Sequence, residues 1–193
     1  MCIRDRILAL EAEVLLPGHH GPVEGAEVVR REIERVRDAT RWVHDRTVEG
    51  MNAGTPLWQL MAEVSLPPEL EVGQGYGKVA WDVRAIWELY AGWFKHESTT
   101  ELYGRPRSSV DTEVAALAGT DRLVDRAREL VAEDPVAAVH LLEIALAAAP
   151  GHEEGRAVLL DAHRRLRAGE ENFWLASWLD RRIAVLGEEG TAS

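Results

Sequence analysis

The amino-acid sequence predicts a mainly α-helical protein, and three observations support this. Apolar residues recur every three or four positions along most of the chain after residue 25, as they do on the buried side of a helix. The segments with this period are separated by prolines, glycines and capping hydroxyls, which start and stop helices. The one strand-like run is Val14–Leu16, close to the N-terminus. We therefore expect a short strand followed by helices.

The composition is that of a globular protein and narrows the function classes. Of the 193 residues, 46% are hydrophobic, and the net charge is -11. This charge argues against a nucleic-acid partner, because phosphates would be repelled. No apolar run approaches the roughly 18 residues of a membrane helix, so no membrane span is predicted. The sequence does not predict the cellular compartment in which the protein acts.

The first residues carry little information on function. Cys2 is the only cysteine, which excludes an intrachain disulfide and a cysteine-based zinc site. The charged start, Met1–Arg6, is unlike a signal peptide. Because a strand-like run follows so soon, we expect that Met1 is not the native start and that Met1–Arg6 is extraneous.

The first half of the chain is predicted to hold a strand and three helices. Val14–Leu16 is interpreted as a buried strand that ends at Pro17-Gly18. Gly25, whose backbone is conformationally permissive, precedes a long helix that is predicted to extend to about Met51. A short helix follows the capping Thr55 and Pro56. After a loop in which glycines surround Tyr76, a strongly apolar helix over about 78–94 is expected to lie centrally.

The second half is predicted to hold five more helices after a polar connection over 95–109. Their expected ranges are 111–118, 121–132, 135–148, 153–166 and 170–186. The pair over 135–166 has the small and large apolar pattern of a tetratricopeptide-like helix pair. Since repeat arrays need about three units, a full solenoid is not expected.

His19 is the most specific candidate for a metal-binding residue. It stands in a turn between a strand end and a Gly-Pro pair, and such a turn can hold a neutral imidazole for zinc. The alternative is that His19 and His20 are turn residues that face water. The turn alone favours this alternative, because no partner follows at metal-ligand spacing.

The aromatic residues offer two interpretations. The seven tryptophans stand at helical spacing, and Trp174 and Trp178 share one helix face, so a core role is expected. A dimer interface is the second possibility, since interfaces are enriched in tryptophan. Tyr76 is kept as a possible substrate contact, although its position in the sequence favours the alternative of a tyrosine that packs within its loop.

The order of several motifs resembles one known family. Pro17-Gly18-His19 precedes Pro22-Val23-x-Gly25, and a Leu66-Pro67-Pro68 turn leads to Gly75-Tyr76-Gly77. A Gly92-Trp93-Phe94 block closes the apolar helix. Over about 14–186 this arrangement is similar to the alkyl sulfatases of the metallo-β-lactamase superfamily, from the end of their catalytic domain through their helical dimerisation domain.

The resemblance implies a parent enzyme that hydrolyses alkyl sulfate esters at a site with two zinc ions. It implies that His19 is the last zinc ligand, that Tyr76 lies near the substrate, and that the helices form a homodimer and cover part of the active site. Residues 1–25 would then be the remnant of the metallo-β-lactamase αββα domain, 26–187 the helical dimerisation domain and 188–193 a disordered tail. By itself the fragment is expected to be inactive.

Departures from the family pattern leave other functions open. The family's His-x-His-x-Asp-His motif is absent, and Lys95-His96-Glu97-Ser98 stands where the family has Asp-Gly-Asn-Pro. This difference points to a divergent branch. The alternatives are a non-enzymatic tetratricopeptide-like interaction module and a related hydrolase of thioesters, lactones or phosphodiesters.

Overall fold

The structure is mainly α-helical, as predicted. It is a computed structural model that describes residues 3–191, with side chains described as far as residue 188. Within this range the α-helices are α1 Ile3–Leu8, α2 Ala26–Asn52, α3 Leu57–Glu63, α4 Val79–Ala91, α5 Asp111–Ala118, α6 Thr120–Leu130, α7 Pro135–Ala148, α8 Glu153–Arg167 and α9 Phe173–Thr191. The strands are β1 Val14–Leu15 and β2 Val23–Glu24, and short 3-10 helices cover Pro68–Leu70, Thr99–Leu102 and Arg107–Val110.

The chain folds as two compact units that divide after Lys95. The assignment of residues 1–25 to a catalytic-domain remnant and of 26–187 to a dimerisation domain does not follow this division, and it stays a prediction. Each unit has its own cluster of buried apolar side chains.

The first unit is organised by the long helix α2. Helices α3 and α4 pack on it, and their core contains Val43, Leu57, Leu60 and Val83. Gly50 makes the close approach of α3 possible, because a Cβ at this position would lie 2.3 Å from a methyl carbon of Leu60. The stepped apolar residues of α2 and α4 therefore place their inner faces in one core, as the helical period predicts.

The predicted strand before the histidine turn is present, but the prediction that it is buried is wrong. β1 pairs with β2 as a two-residue antiparallel hairpin, with Val14 opposite Glu24 and Leu15 opposite Val23. Leu16 is 77% exposed, because no further strand covers the hairpin within residues 3–191. Helix α1 and strand β2 were not anticipated, and Met1 and Cys2 lie outside the described residues.

The second unit is a succession of helices in which each packs against the next from α6 to α9. Helices α7 and α8 form the predicted pair, and their core residues are small or branched, among them Ala138, Leu142, Ala145 and Leu159. Helix α6 packs against α7 as extensively as α8 does, so the pair belongs to a longer succession.

The last helix differs from the prediction at both ends. It begins at Phe173 because the Asn172 side-chain oxygen accepts hydrogen bonds from the N–H groups of Trp174 and Leu175, each at 3.1 Å. It continues to Thr191, so residues 188–191 of the expected disordered tail are helical. Residues 192–193 lie outside the described part of the chain.

Most tryptophans are not in the core, and the core interpretation of Trp174 and Trp178 is wrong. These two side chains are 61% and 59% exposed. Helical spacing placed them correctly on one face, but that face is the outer one. Trp87, by contrast, packs against the first unit's core, and its buried indole Nε1 has no hydrogen-bond partner among the residues that the structure describes.

Candidate functional site

The candidate site lies on the first unit, where the histidine turn meets the glycine loop. Residues 16–22 connect the two strands of the hairpin and present His19 and His20 as exposed side chains. His20 has φ 72°, the left-handed conformation that few residues other than glycine adopt readily. The backbone of the turn is thus bent at the second histidine.

The two residues singled out from the sequence are in contact. The rings of His19 and Tyr76 are stacked, with centroids 5.1 Å apart and planes inclined by 11°. The ring of His20 meets Tyr76 edge-on at 5.7 Å. Tyr76 therefore contacts both imidazoles, one stacked and one nearly perpendicular, an arrangement that limits the orientations of all three rings.

Polar contacts within the glycine loop hold Tyr76 in place. The Gln74 side-chain oxygen accepts a hydrogen bond from the N–H of Val79, the first residue of α4, at 2.9 Å. A carboxylate oxygen of Glu71 accepts from the N–H of Gly73, also at 2.9 Å. Gln74 thus closes the segment that contains Tyr76 and caps α4. Sequence reasoning missed Gln74, because its partner lies five residues away and no standard capping motif is present.

A small cavity of about 110 Å³ lies beside this loop, between α2 and the start of α4. Its lining includes Gln74, Lys78 and Asp82 with apolar residues of α2. Partial burial raises the pKa of the Asp82 carboxyl, and the positive charge of Arg4 opposes this shift. The cavity is too small for a drug-sized ligand.

The described residues do not form a complete metal site. Among residues 3–191, no group of three or more His, Cys, Asp or Glu side chains is arranged to hold a metal ion. A zinc ion is bound by three or four protein ligands. His19 could therefore supply one ligand, and the residues described here do not fit a zinc site by themselves.

A second polar cluster on the same unit was missed from the sequence. His44 on α2 contacts Asp45 through Nδ1 at 2.9 Å and the Tyr90 hydroxyl on α4 through Nε2 at 2.8 Å. The histidine and tyrosine are 46 positions apart, so no local pattern indicated the contact.

Two histidines of the second unit serve local structure. His152 caps α8, since its Nδ1 accepts from the N–H of Gly155 at 3.0 Å and its Nε2 contacts Asp121 at 2.9 Å. The buried His163 contacts the carbonyl of Leu159 at 2.8 Å. In the described part of the chain, no helix combines the length and apolar character needed to cross a membrane.

Comparison with known proteins points to one family. Residues 57–181 match the alkyl sulfatase dimerisation family. A linear primary-alkylsulfatase from Pseudomonas sp. (strain ATCC 19151) is 33% identical over 125 residues, which cover 62% of this chain and 24% of that protein. An (R)-specific secondary-alkylsulfatase from Pseudomonas sp. is 29% identical over 166 residues, 83% of this chain and 25% of that protein.

The fold is shared with a solved structure. The stereoselective inverting sec-alkylsulfatase Pisa1 from Pseudomonas sp. superimposes with a TM-score of 0.84 at 25% identity, over 95% of this chain and 30% of that one. The chain thus spans about a quarter of the length of its curated relatives. On the match over residues 57–181, the chain belongs to the alkyl sulfatase dimerisation family.

Proposed function

We propose that this chain is the C-terminal part of an alkyl-sulfatase-like zinc hydrolase, in which its helices dimerise and cover part of the active site. The observation that carries the proposal is the contact between His19 and Tyr76. The two residues are far apart in the sequence, and both belong to motifs that resemble the family. In the parent enzyme, His19 would be one ligand of a two-zinc centre whose other ligands lie outside this chain.

The geometry supports a ligand role for His19 in two ways. The side chain is exposed at the end of a hairpin, so another part of the protein can approach it. The stacked Tyr76 ring restricts rotation of the imidazole, and metal-binding histidines require a fixed ring orientation. Tyr76 would in turn stand beside the ligand, at the edge of the substrate site.

The test is His19→Ala in the full-length parent enzyme, with zinc content and sulfate release from an alkyl sulfate as readouts. We expect the loss of at least one zinc ion per subunit and a fall in rate of at least about a hundredfold. Changing a residue that only orients a metal ligand already lowers metal affinity or activity by about 10- to 100-fold. His140→Ala on the exposed face of α7 is the matched control and should change neither. Unchanged zinc content and rate in His19→Ala would exclude His19 from the metal centre.

The dimerisation role is supported by the outer face of α9. We define this face by Trp174, Trp178 and Val185, which stand at helical spacing and are 61%, 59% and 37% exposed. Such a row of exposed apolar side chains, two of them tryptophans, is characteristic of interfaces. We propose a second copy of the chain as its partner, because the family that the chain belongs to is the alkyl sulfatase dimerisation family.

The dimer proposal is tested by measuring molar mass in solution. Trp178→Glu places a charge in the centre of the outer face of α9, and we expect it to increase the dimer dissociation constant by at least about a hundredfold, as for a central interface residue. Ala157→Glu adds the same charge on the exposed side of α8 and should leave the mass unchanged. A wild-type chain that stays monomeric at high concentration would contradict the proposal.

A non-enzymatic interaction module is the second candidate. The observation that favours it is the sequential packing of α6, α7, α8 and α9, which is also how tetratricopeptide-like helices are arranged. It predicts peptide binding to this succession of helices, and it predicts that removing zinc from the full-length protein has no effect.

A further inference from the structure

A cavity of about 780 Å³ opens among the 3-10 helices at the start of the second unit. Its volume is within the range of small-molecule sites, about 300 to 1,000 Å³, but it is open to solvent and all nine residues that line it are exposed. The polar part of its lining includes Glu97, Ser98, Thr100, Tyr103, Arg105 and Arg107. Nothing in the proposed function uses these residues.

Local hydrogen bonds build the wall of this cavity. Ser98 and Glu101 form a capping box, in which the Ser98 hydroxyl accepts from the N–H of Thr100 and the Glu101 carboxylate accepts from the N–H of Ser98 at 2.9 Å. The N–H of Arg105 donates to the carbonyl of Tyr103 at 2.8 Å. The loop is therefore shaped before any ligand arrives, which reduces the entropy lost on binding.

The charge of the cavity differs from that of the chain as a whole. Arg105 donates through Nε to the neutral hydroxyl of Ser109 at 3.0 Å, so its positive charge is not neutralised by this bond. Arg107 has no ion-pair partner among the residues that the structure describes. Two guanidinium groups thus line the cavity with the carboxylate of Glu97, in a chain whose net charge is -11. The nearby carboxylate of Glu101 accepts hydrogen bonds from the N–H groups of Glu97 and Ser98.

We propose that this cavity binds a tetrahedral oxyanion, either a free sulfate or phosphate ion or the head group of a monoester. Guanidinium groups bind such anions through paired, charge-assisted hydrogen bonds, and the hydroxyl groups of the lining supply further donors. Pro106 and Val110 form an apolar part of the lining, against which a short alkyl chain can pack. This inference rests on residues 97–110 and does not depend on the proposed hydrolase.

The experiment is a titration of the ¹⁵N-labelled 193-residue chain with sodium sulfate and, separately, with hexyl sulfate, followed by NMR. We expect saturable shifts of the amides in 97–110. Arg105→Gln and Arg107→Gln should each weaken binding about tenfold through the loss of charge-assisted bonds. Glu97→Gln should strengthen it about two- to fivefold, because an opposing charge is removed. Arg164→Gln is the control, since it makes the same change of charge on the exposed surface of α8.

The two probes distinguish the sources of the oxyanion. Tighter binding of hexyl sulfate supports an ester as the ligand, and equal binding supports the free ion. Hexanol should produce no shifts in 97–110. The proposal is overturned if neither anion shifts these amides, or if Arg105→Gln and Arg107→Gln bind both anions as tightly as Arg164→Gln does.

Discussion

Asn172→Ala should destabilise the second unit through the loss of one helix cap. The side chain is 1% exposed, and its oxygen is the acceptor for the N–H groups of Trp174 and Leu175. Alanine removes this acceptor and leaves both N–H groups without it at the start of α9. Helix α9 packs against α8, so the loss extends to the core of the unit.

The magnitude follows from two contributions. Removal of an N-cap acceptor costs about 1 kcal/mol in free energy of unfolding, and up to about 2 where the cap is well ordered. Loss of the buried carboxamide adds about 1 kcal/mol, because buried polar groups lose their partners. The expected total of about 2 to 3 kcal/mol is a large part of the stability of an ordinary domain. For a unit of this size, it corresponds to a fall in Tm of at least about 10 °C.

The assay is urea unfolding followed by circular dichroism, combined with amide hydrogen exchange. Asn172→Ser is the matched variant, since it also removes the carboxamide but keeps an oxygen that can cap the helix. We expect serine to recover about 1 kcal/mol and to restore slow exchange at Trp174 and Leu175. If both variants unfold within about 0.5 kcal/mol of the wild type, with exchange unchanged, the cap does not stabilise the fold and the reasoning is wrong.

Two further predictions concern the first unit. Gly50→Ala should lower the free energy of unfolding by about 1 kcal/mol, because the added methyl group would overlap the buried Leu60. This overpacking outweighs the gain in helix propensity. Gly187→Ala is the control, since a Cβ at position 187 would meet nothing within 4 Å, and it should not destabilise α9 in urea unfolding. Asp82→Asn should raise stability at pH 7 by less than about 1 kcal/mol, because partial burial raises the pKa of this carboxyl and its charged form is disfavoured in the folded state. A carboxyl whose pKa is raised in the folded state makes that state more stable as the pH falls through the raised pKa. Below that pKa, the free energy of unfolding of the wild type, measured in urea, should therefore approach that of Asp82→Asn. A constant difference between the two free energies from about pH 7 to about pH 4 would contradict this cause.

The helices could be predicted because their signals are local. The predicted ranges of α5 and α7 match the structure residue for residue, since each is bounded by a proline, a glycine or a capping side chain within one turn. The start of α9 was predicted wrongly although a common N-cap residue marks it, since the Asn172 side-chain oxygen accepts from the N–H groups two and three positions further on. At α9 the sequence suggested a start near Glu170, but Asn172 is the residue that caps the helix.

The candidate site was predictable in its residues but not in its geometry. His19 and Tyr76 could be selected from their motifs, yet their stacking joins a hairpin to a distant loop. Gln74, which closes that loop, carries no signal that distinguishes it from any other loop glutamine. The roles of His19 and Tyr76 in a parent enzyme stay predictions.

The sequence by itself determined the helical class, most helix ranges and the face on which each apolar residue stands, because these depend on contacts within one or two turns. Only the tertiary structure decided which apolar faces are covered. Trp174 and Trp178 show the difference, since their spacing places them on one side of α9 whether that side faces the core or solvent. The period of a helix determines the relative directions of its side chains, whereas burial depends on which other element packs there, and that partner is distant in the sequence.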